Sequence, residues 1–204
     1  MSIFGEIIDA GIVEEAAADT LRQWFLTYTR ELELQLGLTQ DSIPQPRSYT
    51  VATEIDRDVE DQLPAVVVVS PGISDEPKME GDGSYRVTWS VGIGVFASAK
   101  DRSSTSVAIR RYCAIVRAIV LQKASLGGVA SGTRWLDENY DDMDFDDGRT
   151  IGVGTVLFEV EVHNAVTRRG GPAVPTAPDP DEQPGSNWPV ADPVTVTVKR
   201  REEV

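Results

Sequence analysis

Residues 85–99 read YRVTWSVGIGVFASA. Tyr85, Val87, Trp89, Val91, Ile93 and Val95 fall on one side of an extended chain, with Arg86, Thr88, Ser90, Gly92 and Gly94 on the other, because successive side chains of a strand point to opposite faces. A helix would scatter the same apolar residues around its circumference. A strand of this length needs neighbours, and the flanking sequence supplies them. "LPAVVVVSPG" from Leu63 is a β-branched run without polar alternation, which suits a strand covered on both faces. "SYTVATEI" from Ser48 reads as a further strand. "TIGVGTVLFEVEVHNAV" from Thr150 is a second long one, and its apolar phase moves from Ile151 and Val153 to Val156, Phe158, Val160 and Val162, which predicts a bulge near Thr155.

Two helices accompany these strands. Ala17, Leu21, Trp24, Phe25, Tyr28, Leu32 and Leu36 recur at three- and four-residue steps, one face of a long helix ending near Gly37. A second helix, capped by Asp101 or the serines after it, buries Ile109, Tyr112, Cys113, Val116 and Val120, leaves Arg110, Arg111 and Arg117 outside that stripe, and stops at "SLGG". The fold class is therefore α/β in the α+β sense: a mixed, mainly antiparallel sheet flanked by a long N-terminal helix and a second helix. Residues 1–167 make this domain. Residues 168–204 form an extended arm, since Pro172, Pro175, Pro178, Pro180, Pro184, Pro189 and Pro193 exclude a packed helix or a central strand. The arm ends in "VTVTVKRREEV", whose Val194, Val196 and Val198 suit addition to a sheet edge.

Both long strands carry a Gly-x-Gly, Gly92 with Gly94 and Gly152 with Gly154, and bare backbone of this kind invites close approach by another backbone or a helix. The stretch "YDDMDFDDGRT", Tyr140–Thr150, reads as an acidic loop. Counted from Asp142, Asp144 and Asp146 fall on calcium-loop positions, but the sixth position is Asp147 instead of Gly, Gly148 comes one residue late, and the twelfth is Val153 instead of a bidentate Glu. No dedicated metal site is expected.

The 204 residues carry 33 acidic and 19 basic side chains, a formal charge of -14, which disfavours a grip on nucleic acid based on neutralising phosphates. A single cysteine excludes an internal disulfide, the N-terminus has no basic leader region, and no apolar stretch is long enough to span a bilayer, so a soluble, intracellularly made protein is expected. The lone histidine, His163, stands on the exposed phase of a strand behind Glu159 and Glu161, with no nucleophile motif, phosphate loop or zinc spacing elsewhere. No catalytic residue and no cofactor are expected.

The order of elements, from the amphipathic N-terminal helix through "LPAVVVV", "YRVTWSVGIGVFA" and "STSVAIRRYCAIVRAIVLQ" to "GTVLFEVEVHNAV", resembles the tail terminator, or neck, proteins of long-tailed bacteriophages over roughly Val13 to Val166. The resemblance rests on element order and texture; the proline-rich arm departs from the family pattern. It implies a structural, non-enzymatic virion protein of the tail neck, assembled in the host cytoplasm into a hexameric ring. Such a ring caps the tail tube protein, docks to the head-tail connector or stopper protein, and lets DNA pass without specific binding or membrane contact. On that footing Arg110, Arg111 and Arg117 are expected to meet carboxylates of a neighbouring subunit. The four glycines and Val194, Val196 and Val198 would serve interfaces, and Asp141, Asp142, Asp144, Asp146 and Asp147 would line the channel or face a basic partner ring. A neighbouring head-completion protein is the near alternative, and a hydrolase using a desolvated carboxyl the distant one.

Overall fold

A computed structural model describes residues 7–51, 62–144 and 150–167, with backbone placement only for residues 143, 144 and 167. The chain divides into two compact units, Met1–Gly171 and Pro172–Val204, and every described residue belongs to the first. The elements follow as α1 (Ala10–Gln35), β1 (Ser48–Val51), β2 (Ala65–Ile73), β3 (Lys78–Met79), β4 (Ser84–Ala97), α2 (Arg102–Gln122), β5 (Gly132–Asp144) and β6 (Thr150–Thr167). Six strands form one sheet in the order β1-β2-β4-β6-β5, with β3 flanking β4. The β1–β2 pair is parallel and the others are antiparallel, so the fold is α+β with a mixed, mostly antiparallel sheet.

Both helices cover the same face. Val66 and Val68 of β2, Val91, Ile93 and Val95 of β4 and Val156, Phe158, Val160 and Val162 of β6 form one buried cluster with Val13, Ala17, Leu21 and Phe25 of α1 and Ile109, Tyr112, Cys113 and Val116 of α2. The alternation that defines a strand in the sequence is thus the alternation between helix-covered and open faces. Leu36, expected on the buried stripe of α1, is half exposed because it is the C-cap residue, just before Gly37 turns the chain at φ 64°. Each helix starts on a carboxylate that accepts from the backbone, Asp9 from the Ile12 N–H at 2.9 Å and Asp101 from the Ser104 N–H at 2.8 Å.

No register break occurs at Thr155. Pairing of β4 with β6 is continuous from Val87↔Val162 to Ala97↔Gly152, and the bulge expected there is absent. The phase change has another cause: Ile151 packs with Ala65, Val67 and Phe96 in a second, smaller cluster on the open face, joined by Leu63 and Val153. One strand therefore serves two apolar clusters on opposite faces without changing register. A real shift lies in β5, where Trp135 pairs Phe158 and Asp137 pairs Leu157, leaving Leu136 as the extra residue.

The link after α1 is held by one buried side chain. The Glu33 carboxylate, 2 % exposed, accepts from the N–H of Ile43 (2.8 Å) and Asp41 (3.1 Å) and from the Ser42 hydroxyl (3.3 Å). The Ile43 N–H bond is the main reason its pKa lies below the ordinary 4.5, outweighing the opposing effect of burial. A depressed acid contributes stability above its unfolded pKa and loses it as pH falls through the folded value. Glu33→Gln is therefore expected to melt below the natural chain at pH 7, with the gap narrowing as pH falls below about 4.5. An equal gap at pH 7 and pH 3 would remove the carboxylate from this role.

Candidate functional site: the acidic strand and the open sheet face

The acidic stretch expected as a loop is a strand as far as Asp144, because it pairs with β6 and is fastened to α2. After the Leu136 bulge, Glu138, Tyr140 and Asp142 face the helix. Each meets an arginine of α2: Arg117 forms an ion pair with Glu138, Arg110 lies 5.6 Å from the centre of the Tyr140 ring, and Arg102 Nε donates to Asp142 at 3.0 Å. Before the bulge, Thr133 Oγ1 donates to the Val120 carbonyl at 3.1 Å and Arg117 stands 4.7 Å over Trp135. The three arginines sit eight and seven residues apart, which keeps them on one helical face. Tyr140 also donates to Glu138, and burial, followed by that bond, pushes its phenol up to about 12. Cys113 lies beneath this seam, and burial pushes its thiol up to about 12, with Glu138 adding to the rise and Arg117 opposing it. It packs as a small apolar side chain and is not poised as a nucleophile.

The open face carries the opposite kind of surface. At the end nearest β3, Arg134 Nε donates to Glu159 at 2.9 Å, and Arg86 stands 3.7 Å from Glu161. His163 sits between Glu80 and Glu161 at 3.1 Å from each, and Lys78 is 3.0 Å from Asp75. A shallow cleft of about 360 Å³ is lined by Arg86, Lys78, Arg134, Glu159, Glu161 and Asp75 among others. Each cation here already has a carboxylate partner within the chain, so the cleft is a mosaic of ion pairs suited to a polar contact surface. Among the described residues no group of His, Cys, Asp or Glu side chains is arranged to hold a metal ion.

The sequence-predicted residues separate into distinct groups. Gly152 and Gly154 are indeed closely approached, but by the chain's own α2: a Cβ at 152 would lie 2.6 Å from Ile109 Cγ1, and one at 154 would lie 2.8 Å from Ile109 Cγ2 and closer still to Cys113 Sγ. They are not surface for another subunit. Gly92 and Gly94 lie on the other face, since Gly94 pairs Thr155 and Val95 pairs Gly154, and their nearest neighbours are Val69 and the Phe96 ring. Arg117 has a carboxylate partner, Glu138, in its own chain, and Arg110 is turned to Tyr140 of the same chain, where a neighbouring subunit's carboxylates were expected. Arg111 is half-buried and makes no ion pair with a described residue.

Asp141 is exposed on β5, Asp142 is partly covered and paired with Arg102, and Asp144 pairs Thr150 in the ladder. An extended ladder at Asp142 and Asp144 does not wrap an ion as a calcium loop does. Asp146, Asp147, Val194, Val196 and Val198 lie outside the described residues. Glu138, Tyr140, Trp135 and Arg102 were missed by sequence reasoning, although the Arg102, Arg110, Arg117 spacing and the two-residue step of Glu138, Tyr140 and Asp142 were visible signals.

No protein-family model matches the sequence, and no curated protein matches it. No described helix is long and apolar enough to cross a membrane.

Proposed function

We propose that the protein is a structural component of a phage tail neck, a terminator that closes into a ring on the end of the tail tube and joins it to the head-side connector. The observation that carries this reading is the one-sided sheet. Both described helices lie on one face, while the other carries an ion-pair mosaic at the β3 end and a small buried apolar cluster of Ala65, Val67, Phe96 and Ile151 at the opposite end, and the mosaic has the composition of a surface that meets another protein. The element order agrees with the resemblance seen in the sequence. A net charge of -14 suits a channel through which DNA slides without being held, because carboxylates on the wall repel phosphates.

A hydrolase reading finds less support. The least exposed carboxylate among those of Asp137–Asp142, Glu138, is tied to a guanidinium, whereas general-acid chemistry calls for a carboxyl desolvated against apolar groups. Negative-stain imaging of the purified protein, alone and mixed with tail tubes, is the test. Rings seated on tube ends are the expected result, and free rings that ignore tube ends but bind a purified connector would assign the protein to the neighbouring position. A strictly monomeric species with bare tube ends would overturn the reading, since a terminator must match the symmetry of the tube it closes.

A further inference from the structure

We propose that the free edge of β5 is the docking site for the C-terminal tip, Val194–Arg201, of a second copy of this chain, added as a further strand. Among the described residues β5 is last in the sheet order and has β6 on one side only. It spans 13 residues, and past the Leu136 bulge its outer backbone from Asp137 onward is an unpaired strand edge, which is a template for pairing. The proposal requires that copies of the chain meet, and so rests on the self-assembling part of the reading above.

The edge also selects its occupant. The N–H groups of Glu138 and Asp142 are taken by the carboxylates of Asp137 and Asp141, each at 2.8 Å. A strand that adds here must displace those carboxylates, and a basic strand gives them new partners where a neutral or acidic one does not. A second β5 is rejected, because carboxylates would stand opposite carboxylates. The tip matches this requirement. Val194–Val198 alternates Val with Thr, and Lys199-Arg200-Arg201 is the one run of three consecutive cations in the sequence. In an extended strand Lys199 and Arg201 point to one face and Arg200 to the other. β5 offers the exposed Asp137 and Asp141 on the open face, whereas Glu138 and Asp142 on the helix face already pair with Arg117 and Arg102, so the orientation that sets Lys199 and Arg201 on the open face is favoured.

The reach of the arm favours a second copy over self-docking. β6 ends at Thr167, and Asp137 and Asp142 pair Leu157 and Gly152, so the chain's own acidic stretch lies about 33–50 Å along the sheet from the arm's root. Residues 168–193 contain seven prolines and number enough to reach at most about 80 Å at polyproline spacing. A polyproline-like tether of that reach would overshoot its own edge, which favours delivery of its end to a neighbour's.

Full-length protein made in natural-abundance and ¹⁵N forms, mixed in equal amounts and treated with a carbodiimide, tests the proposal. Amide crosslinks from Lys199 to Asp137, Glu138, Asp141 or Asp142 are expected, with about half joining light to heavy chains. Hydrogen exchange at Glu138–Asp142 is expected to speed up at least tenfold in Arg200→Glu/Arg201→Glu, which leaves Lys199 in place, and to slow again when Asp137→Lys/Asp141→Lys is added. Crosslinks confined to chains of one isotope would overturn the second-copy assignment, and their absence with unchanged exchange would overturn the site. Mixed-isotope crosslinks on protein that leaves tube ends bare would sustain the docking and remove the tail reading instead.

Discussion

Gly154→Val is expected to destabilise the folded chain by about 3 kcal/mol, at the upper end of what overpacking a core costs. A side chain at this position enters the space of Cys113 Sγ and comes within 2.8 Å of Ile109 Cγ2, so α2 and β6 must move apart. For a chain of this size that is a fall of roughly 6–12 °C in melting temperature. Gly92→Ala is the control. Gly92 is buried, but its added Cβ meets Val69 Cγ1 at 3.6 Å, an ordinary contact that asks no neighbour to move, and the melt is expected to shift by less than about 2 °C. Cys113→Ala should recover part of the loss in a Gly154→Ala background, because it removes the sulfur that stands in the way. Equal melts for the 154 and 92 variants would mean that α2 does not press on β6 as described.

The second large effect is expected at Arg117. Arg117→Ala leaves the Glu138 carboxylate, whose side chain is 6 % exposed, without its cation and takes the guanidinium from the face of Trp135. Removing one partner of a fully buried pair costs about 3–5 kcal/mol. Arg117 is one-third exposed, so water reaches the pair, and about 2 kcal/mol is the expected loss. Arg117→Met/Glu138→Leu should regain most of it, since the penalty lies in the stranded charge more than in the missing attraction. A double-mutant cycle on chemical unfolding would measure this, and additive single losses would show that the two groups do not act on each other.

The contrast between the two glycine pairs shows where sequence reasoning succeeds and stops. Periodicity revealed β4, because Val87, Val91, Ile93 and Val95 all face one covering layer. It revealed both helices for the same reason, down to the stop at Gly37 and the Asp101 cap. The Gly-x-Gly pairs look alike in the chain, yet only the antiparallel register shows that they face opposite sides and that one of them lies under α2. A pairing partner is a long-range fact, and local pattern does not contain it.

The acidic strand was illegible for a different reason. Asp and Asn are poor strand formers, and their enrichment between Asp137 and Asp144 reads as a turn or loop. What makes the segment a strand is tertiary: the ladder with β6 and the arginines on α2 supply the stabilisation that local preference withholds. Leu136 hides the pattern further. Thr133 and Trp135 face the helix, and the next residue to do so is Glu138, three places on, so the two-residue period breaks where the bulge sits.

That extra residue has a meaning for solubility. Without Leu136 the ladder would run from Trp135 to Asp137 with every side chain keeping its present face, so the sheet's interior arrangement does not depend on it. The edge does. A bulge bends and twists the strand that carries it, and a bent outer strand is a poor match for the straight strands of misfolded or aggregating chains. Leu136 thus guards the outside of the molecule, narrowing the usable edge to the charged stretch from Asp137 onward, where a newcomer is judged by its charge before its backbone can pair.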